Sequence, residues 1–238
     1  MKITYINNFD ELSKKVSDDM VEMIKHDREA NICLASGDSP ELAYKYFVND
    51  LLSNNIDYHD MTITKLDEWC HVNPESPVSC ECYIRERVLS PLNIKNDNYF
   101  SFLPDANDCE KEAKKIENLL HKKPISLCIL GLGRNGHLGL NEPDDYLLPY
   151  AHVCELSDIT KEHPMLVGHN NVHSGMSIGM QEILNSEKII LMVCGEGKQE
   201  IFDELMTMKI NSHLPASFLY LHNNVELYVD LNNFSKPI

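Results

Sequence analysis

Positive charge is scarce in this 238-residue chain, where 21 Lys and Arg stand against 37 Asp and Glu for a formal net charge of −16. Such a surface repels phosphate backbones, which argues against nucleic acid as a partner. An anionic substrate would have to be held by a local pocket of donors or cations, since no broad basic patch is available to attract one. Long hydrophobic runs are missing too. None reaches membrane-spanning length, and Met1-Lys2-Ile3-Thr4-Tyr5-Ile6-Asn7 lacks the apolar stretch of a signal peptide. The expectation is a cytoplasmic protein without a membrane partner. The eight cysteines, at 33, 70, 80, 82, 109, 128, 154 and 194, include no Cys-x-x-Cys pair. Cys33, Cys128 and Cys194 sit inside apolar runs, so the set reads as reduced core thiols rather than a disulfide framework or a zinc site. No repeat, low-complexity tract or Gly/Ser/Pro linker divides the chain, and 238 residues can bury a full core as a single domain spanning 1–238.

What the chain does contain is a regular alternation of short apolar runs and amphipathic stretches. Strands are predicted at 30–35, 61–66, 125–130, 151–155, 188–194 and 225–229. Helices are predicted at about 10–26, 40–52, 79–89, 108–120, 180–184 and 198–208. Runs such as Ile189-Ile190-Leu191-Met192-Val193 lack polar alternation, as strands covered on both faces do. Strand–helix alternation then implies an α/β fold with a parallel sheet flanked by helices. In such sheets ligands bind beyond the carboxyl ends of the strands, which singles out four strand exits.

The first exit is Leu34-Ala35-Ser36-Gly37-Asp38-Ser39-Pro40. Pro40 suits a first helical turn, with Ser39 or Asp38 as N-cap. Free backbone N–H groups there, with Ser36, Gly37 and Ser39, could cradle a phosphate, although an ordinary capped turn would read the same. The second is Lys65-Leu66-Asp67-Glu68-Trp69. Adjacent acids point to different sides, so at most one faces a cleft, where an apolar wall would raise its pKa and fit it to act as a base. Trp69 reads as packing.

The third exit, Leu130-Gly131-Leu132-Gly133-Arg134-Asn135-Gly136-His137-Leu138-Gly139-Leu140-Asn141-Glu142-Pro143, carries the letters of a dinucleotide fingerprint. That fingerprint must open a helix, and this segment runs into Gly139, Pro143 and Pro149. Pro in a helix interior costs about 3 kcal/mol and Gly about 1, so nicotinamide binding is rejected. What remains is a glycine-rich loop presenting His137 and, five residues on, Glu142, a carboxylate able to orient an imidazole for proton transfer near neutral pH. The fourth exit is Cys194-Gly195-Glu196-Gly197-Lys198. A lysine opening a helix opposes the helix dipole and makes more sense beside a bound anion.

Taken in this order, the four segments resemble the glucosamine-6-phosphate deaminase/isomerase family. Within it they are most similar to the galactosamine-6-phosphate isomerase (deaminase) branch. The matching stretches are 34–40, 65–69, 130–143, 195–199 and 215–222, with Ser177-Ile178-Gly179 between them, so the resemblance covers essentially the whole chain. The resemblance implies a Rossmann-like, mostly parallel sheet with helices on both faces and no metal or organic cofactor. It implies opening of a hexosamine-6-phosphate ring, proton movement between C2 and C1, and loss of ammonia to leave a ketose phosphate. By matched position, Asp67 would shuttle the C2 proton, His137 would assist ring opening, and Glu142 would orient it. Ser36, Gly37, Asp38, Ser39, Gly133 and Lys198 would surround the substrate and its phosphate.

Three departures from the family pattern carry expectations of their own. An Asp usually stands two residues before the histidine in the glucosamine enzymes, whereas here it is Asn135. An amide cannot stabilise imidazolium by charge, so His137 should rely more on Glu142, and Asn135 is taken to mark a galactosamine preference. The family's phosphate-clamping arginine, after Asn-Glu-Pro, has no clear counterpart; Lys161-Glu162-His163-Pro164 offers His163 or Lys161 instead. Some members carry Ser, Arg and Lys in a separate allosteric phosphate pocket, and the corresponding positions here are Asp145, His152 and Cys154. No activation by N-acetylglucosamine-6-phosphate is expected. Glucosamine-6-phosphate deaminase is the nearest alternative activity. 6-Phosphogluconolactonase and a non-catalytic sugar-phosphate sensor stand further off, and composition leaves a homo-oligomer open.

Overall fold

A computed structural model describes residues 1–169 and 171–236. In chain order its elements are β1 (Lys2–Ile6), α1 (Phe9–His26), β2 (Asn31–Leu34), α2 (Asp38–Ser53), β3 (Thr62–Lys65), β4 (Asp67–Trp69), α3 (Cys80–Ile84), α4 (Ser90–Leu92), β5 (Tyr99–Phe100), α5 (Cys109–Lys122), β6 (Leu127–Gly131), β7 (His152–Glu155), α6 (Asp158–Lys161), β8 (Ser174–Ser177), α7 (Met180–Leu184), β9 (Lys188–Val193), α8 (Gln199–Leu205) and β10 (Val225–Asp230). The predicted helix at 79–89 continues through a π-helical turn, Arg85–Leu89, into α4. Among the described residues no helix is long and apolar enough to cross a membrane.

Seven strands form one sheet in the order β1-β10-β9-β6-β2-β3-β5, every pairing parallel. Both faces are covered, which explains the unbroken apolar runs. Ile189, Leu191, Val193, Cys128, Leu130 and Leu227 join the buried cluster containing Ala113 and Ile116 of α5, Ile183 of α7 and Phe202 of α8. The alternating residues Ile190, Met192, Leu127, Ile129, Ile32 and Leu34 join the cluster of Val16 and Met20 of α1, Tyr44 and Phe47 of α2, and Ile84 of α3. The fold is therefore the expected α/β sheet with helices on both faces.

The predicted strand at 151–155 lies elsewhere. As β7 it pairs antiparallel with β8, which pairs antiparallel with β4, giving a small second sheet. His152-Val153-Cys154-Glu155 is only half-buried, as a sheet with one covered face would make it. Strands β1, β4, β5 and β8 had no counterpart in the sequence reading. The segment at 150–175 is framed by β7 and β8 and carries α6; Asn170 within it lies outside the described residues.

The helix after β2 also starts earlier than expected. Its N-cap is Gly37, not Ser39 or Asp38, and it makes no side-chain cap hydrogen bond. With φ 110° the position favours glycine, and the free first-turn amides of α2 open on the site.

The four strand exits belong to β9, β6, β2 and β3, which are consecutive neighbours in the sheet. The chain proceeds from β2 to β3 on one side and from β6 to β9 and β10 on the other, so the connections part between β2 and β6. Loops diverging at such a point leave a crevice at the carboxyl edge.

Candidate active site

A cavity of about 480 Å³ occupies that crevice, a size suited to a small-molecule ligand. All four exits contribute to its wall: Ser36, Gly37, Asp38 and Ser39; Asp67 and Trp69; Gly133, Arg134 and His137; Cys194 and Lys198. Thr160 and His163, from α6 and the turn after it, close the far side.

Asp67 and Glu68 separate as strand alternation requires. Glu68 is fully buried and accepts from the Cys80 and Glu81 amides at 3.0 and 2.7 Å, from Ser79 Oγ at 3.1 Å and from Lys65 Nζ at 2.7 Å. Lys65, itself fully buried, also donates to Glu81 Oε2 at 3.0 Å and to the Phe102 carbonyl at 2.9 Å. Burial works against the Lys65 ammonium, but Glu68 and Glu81 outweigh it and hold its pKa above the ordinary value. With Glu68 fixed inward, Asp67 faces the cavity. Burial first, then the neighbouring Glu68 charge, raises Asp67 from 3.8 to about 7, against the opposing pull of His137, Lys65 and the Cys80 thiol. A carboxyl that titrates near neutrality can both take and return a proton.

His137 lies against Gly133. A Cβ built on Gly133 would fall 2.3 Å from His137 Cδ2 and 2.4 Å from Nε2, so only glycine leaves room for the imidazole. The other ring nitrogen, Nδ1, is 3.5 Å from Glu142 Oε2. Glu142 is held by Asn135 Nδ2, which donates to Oε2 at 2.8 Å, and by the Thr160 hydroxyl, which donates to Oε1. Burial would raise the Glu142 pKa, but His137, Thr160 and Asn135 outweigh it and hold it at about 2. Glu142 is therefore a fixed anion. An Nδ1–H facing this carboxylate leaves Nε2 as the basic nitrogen. Asn135 and Glu142 are not on the cavity wall. The Asn135 amide is spent on Glu142, and its Oδ1 accepts from the His137 amide at 3.2 Å, so neither residue is placed to touch a sugar directly.

At the opposite end, Ser36 Oγ is buried without a hydrogen-bond partner. The His163 ring rests over Gly37, its Nε2 3.6 Å from where a Cβ would stand, and its Nδ1 accepts from the Met165 amide at 3.2 Å. Nε2 then carries the proton of the neutral ring. Burial lowers the pKa of both His163 and Lys198, with the Arg134 charge adding to the effect in each. Lys161, the other candidate for the missing arginine, pairs with Asp158 instead.

Arg134 and Thr160 are among the wall residues that sequence alone did not single out. Arg134 appeared only as an interior letter of the glycine-rich loop. Thr160 sits in a segment without a motif, and only the fold brings it to Glu142. Trp69, read as packing, does pack against Val72, Val78 and Leu140, yet it also lines the cavity with its indole Nε1 buried and unpartnered. Among the described residues no group of three or more His, Cys, Asp or Glu is arranged to hold a metal ion.

Known proteins are similar to this chain in sequence and fold. Residues 7–229 match the family described as glucosamine-6-phosphate isomerases/6-phosphogluconolactonase. AgaI of Escherichia coli (strain K12), whose name marks it as a deaminase, is 38% identical over 221 residues, covering 92% of this chain and 88% of that protein. Glucosamine-6-phosphate deaminase of Clostridium acetobutylicum is 32% identical over 234 residues, 97% of each chain. Among solved structures, a monomeric glucosamine-6-phosphate deaminase of the NagB superfamily superposes with a TM-score of 0.91 at 28% identity, covering 97% of this chain and 98% of that one. The 6-phosphogluconolactonase of Trypanosoma brucei, at a TM-score of 0.73 and 18% identity over 96% and 95% of the two chains, shares the fold. The chain thus belongs to the glucosamine-6-phosphate isomerase/6-phosphogluconolactonase family, among its amino-sugar phosphate deaminases.

Proposed function

We propose that residues 1–238 act as a single catalytic unit that converts galactosamine-6-phosphate and water to tagatose-6-phosphate and ammonia. The observation that carries this reading is a carboxyl titrating at about 7, Asp67, in one cavity with a His137 backed by a permanently ionised Glu142. In the proposed sequence His137 moves the proton of the anomeric hydroxyl to the ring oxygen, and the C1–O5 bond breaks to open the ring. Asp67 takes the C2 proton and returns it to C1 while a proton of the C2 ammonium passes to O1, which turns the aldehyde and C2 ammonium group into a hydroxymethyl group beside a C2 iminium. Water adds at C2, the C2–N bond breaks, and ammonia leaves the ketose phosphate.

Ser36, Ser39, Lys198 and His163, with the free amides of Gly37 and Asp38, would hold the phosphate. The Asp38 carboxylate is exposed at the rim, so only its backbone would serve. The preference for galactosamine rests on the likeness of Lys65-Leu66-Asp67-Glu68-Trp69, Asn135-Gly136-His137, Gly195-Glu196-Gly197-Lys198-Gln199 and Pro215-Ala216-Ser217-Phe218-Leu219 to that branch. Because Asn135 reaches the substrate only through Glu142 and His137, its influence on the epimer would be indirect. Glucosamine-6-phosphate, giving fructose-6-phosphate, is the second reading, favoured by the relatives of that name. Lactone hydrolysis leaves a carboxyl of this kind without a task at C2.

An ammonia-release assay on both hexosamine phosphates, with identification of the ketose and Asp67→Asn as control, tests the proposal. Binding of either sugar without ammonia release would sink it in favour of a sensor. An unchanged ratio of kcat/KM for the two epimers in Asn135→Asp would remove Asn135 as an epimer determinant.

A further inference from the structure

The chain has four arginines, and three of them are paired: Arg28 with Asp57, Arg85 with Glu81 and Arg87 with Glu41. Among the described residues Arg134 makes no ion pair, and neither does Lys198. On a protein of net charge −16, carboxylates are plentiful, so two unpaired cations in one cavity call for an explanation. Both line the same cavity wall, together with His163, and the Arg134 charge is felt by both Lys198 and His163.

Two unpaired cations beside an imidazole whose protonation they oppose form an arrangement that a bound anion stabilises. Cavity-wall groups nearby point to the same ligand. Ser36 Oγ is a buried hydroxyl with no partner, and the first-turn amides of α2 have no side-chain cap. Four acidic residues, Asp38, Asp67, Glu162 and Glu196, line the same cavity; Asp38, at the rim, is the one whose charge acts on Lys198 and His163, and it forms an ion pair with neither. None of these carboxylates pairs with Arg134 or Lys198, whereas a phosphate carries close to two charges at pH 7 and three acceptor oxygens, enough to match both cations and the His163 Nε2–H.

We infer that Arg134 is a phosphate-binding residue, which with Lys198 and the His163 Nε2–H forms the donor set that holds the substrate's phosphate group. This rests on the sugar-phosphate reading of the site and accounts for the missing arginine after Asn-Glu-Pro. The cation is supplied instead from inside the glycine-rich loop, next to Asn135 and three residues before His137. An arginine offers planar paired donors that a lysine lacks, so the guanidinium matters as well as its charge.

The test is calorimetric titration of the full chain with inorganic phosphate, alongside KM for the hexosamine 6-phosphates. Losing one charge-assisted contact should weaken phosphate binding and raise KM in Arg134→Gln by about 10- to 100-fold. Arg134→Lys should recover part of that loss. Because Arg134 is exposed and unpaired, Tm should stay unchanged in both variants, which separates a binding defect from misfolding. Phosphate affinity and KM of Arg134→Gln within twofold of wild type would overturn the inference, and so would a wild-type protein that binds no phosphate. The two readings fail separately. Loss of phosphate binding in Arg134→Gln, with no turnover by the wild type, would sustain the anion site and sink the deaminase reaction. Ammonia release by the wild type with Arg134→Gln unimpaired would do the reverse.

Discussion

Asp67→Asn exchanges a carboxyl for an amide of nearly the same shape, so it removes a titration and little else. In the unfolded chain this carboxyl ionises at 3.8, and in the folded protein at about 7. Between those values the folded protein keeps a proton that the unfolded chain has lost. Stability must then fall as pH rises. The penalty is absent below pH 3.8, grows from there to pH 7, and is complete above it. The gap from 3.8 to about 7, at 1.36 kcal/mol per pH unit, comes to about 4 kcal/mol. Water in the cavity still reaches one side of the carboxylate, which makes this an upper bound. Glu182, which burial also raises to about 7, is common to both proteins and cancels in the comparison.

The amide carries no such penalty. Urea unfolding at pH 4 should find Asp67→Asn and wild type equally stable. At pH 8 the variant should be more stable by up to about 4 kcal/mol, which for a chain of this length corresponds to roughly 8–16 °C in Tm. It should also release no ammonia at any pH. A stability difference that is absent at pH 8, or that does not change with pH, would refute the assignment of the raised pKa to Asp67.

Glu142→Gln should behave oppositely. Its folded pKa of about 2 lies below the unfolded 4.5, so it contributes about 3 kcal/mol that is present above pH 4.5 and lost as pH falls through 2. Urea titrations at pH 7 should show that loss in the variant. Gly133→Ala places a methyl group 2.3 Å from the His137 ring. Displacing the imidazole should lower kcat about 100-fold with KM much less affected, as steady-state ammonia release will register. Lys65→Met strands Glu68 and Glu81 in the interior and should cost about 3–5 kcal/mol in urea unfolding, partly restored in Lys65→Met/Glu68→Gln. N-acetylglucosamine-6-phosphate should leave KM unchanged. Asp145 is exposed and lies 3.2 Å from His213, while the His152 ring and the Cys154 thiol meet the carbonyls of Tyr150 and Gly175.

Much of the site could be read in the sequence because it sits where four predicted strands end, three of them in unalternating apolar runs. Such runs mark strands covered on both faces, and in a parallel sheet the exits share one edge. Residues local to those exits, Ser36 to Ser39, Asp67, His137 and Lys198, could be named in advance. What could not be read depends on partners distant in sequence. One of the two acids had to face inward, but the choice of Glu68 was made by Lys65, Ser79 and the N-terminal amides of α3. Arg134 carries no local mark of its role, since the absence of an ion pair is a property of the folded surroundings. Thr160 reaches Glu142 only because α6 folds back between β7 and β8. Those strands are short, and Ser174-Gly175-Met176-Ser177 has neither an apolar run nor a clean alternation to announce it.

Burial alone does not decide which carboxyl moves the proton, because it acts on Asp67 and Glu142 in the same direction. The difference lies in their partners. Glu142 receives the Asn135 amide and the Thr160 hydroxyl and faces the His137 ring, all of which favour the charged form. Asp67 has the weak donor Cys80 and, one residue away, a like charge locked in place. Lys65 neutralises Glu68 within the interior, but the lysine's hydrogen bonds go to Glu68, Glu81 and a carbonyl, and none to Asp67. The same strand pleat that hides Glu68 thus keeps Asp67 protonatable near neutral pH. Two carboxyls whose surroundings push them to about 7 and about 2 divide the labour of acid–base chemistry between them. In the proposed reaction Asp67 would carry a proton from one carbon to the next, and Glu142 would hold the imidazole to its task.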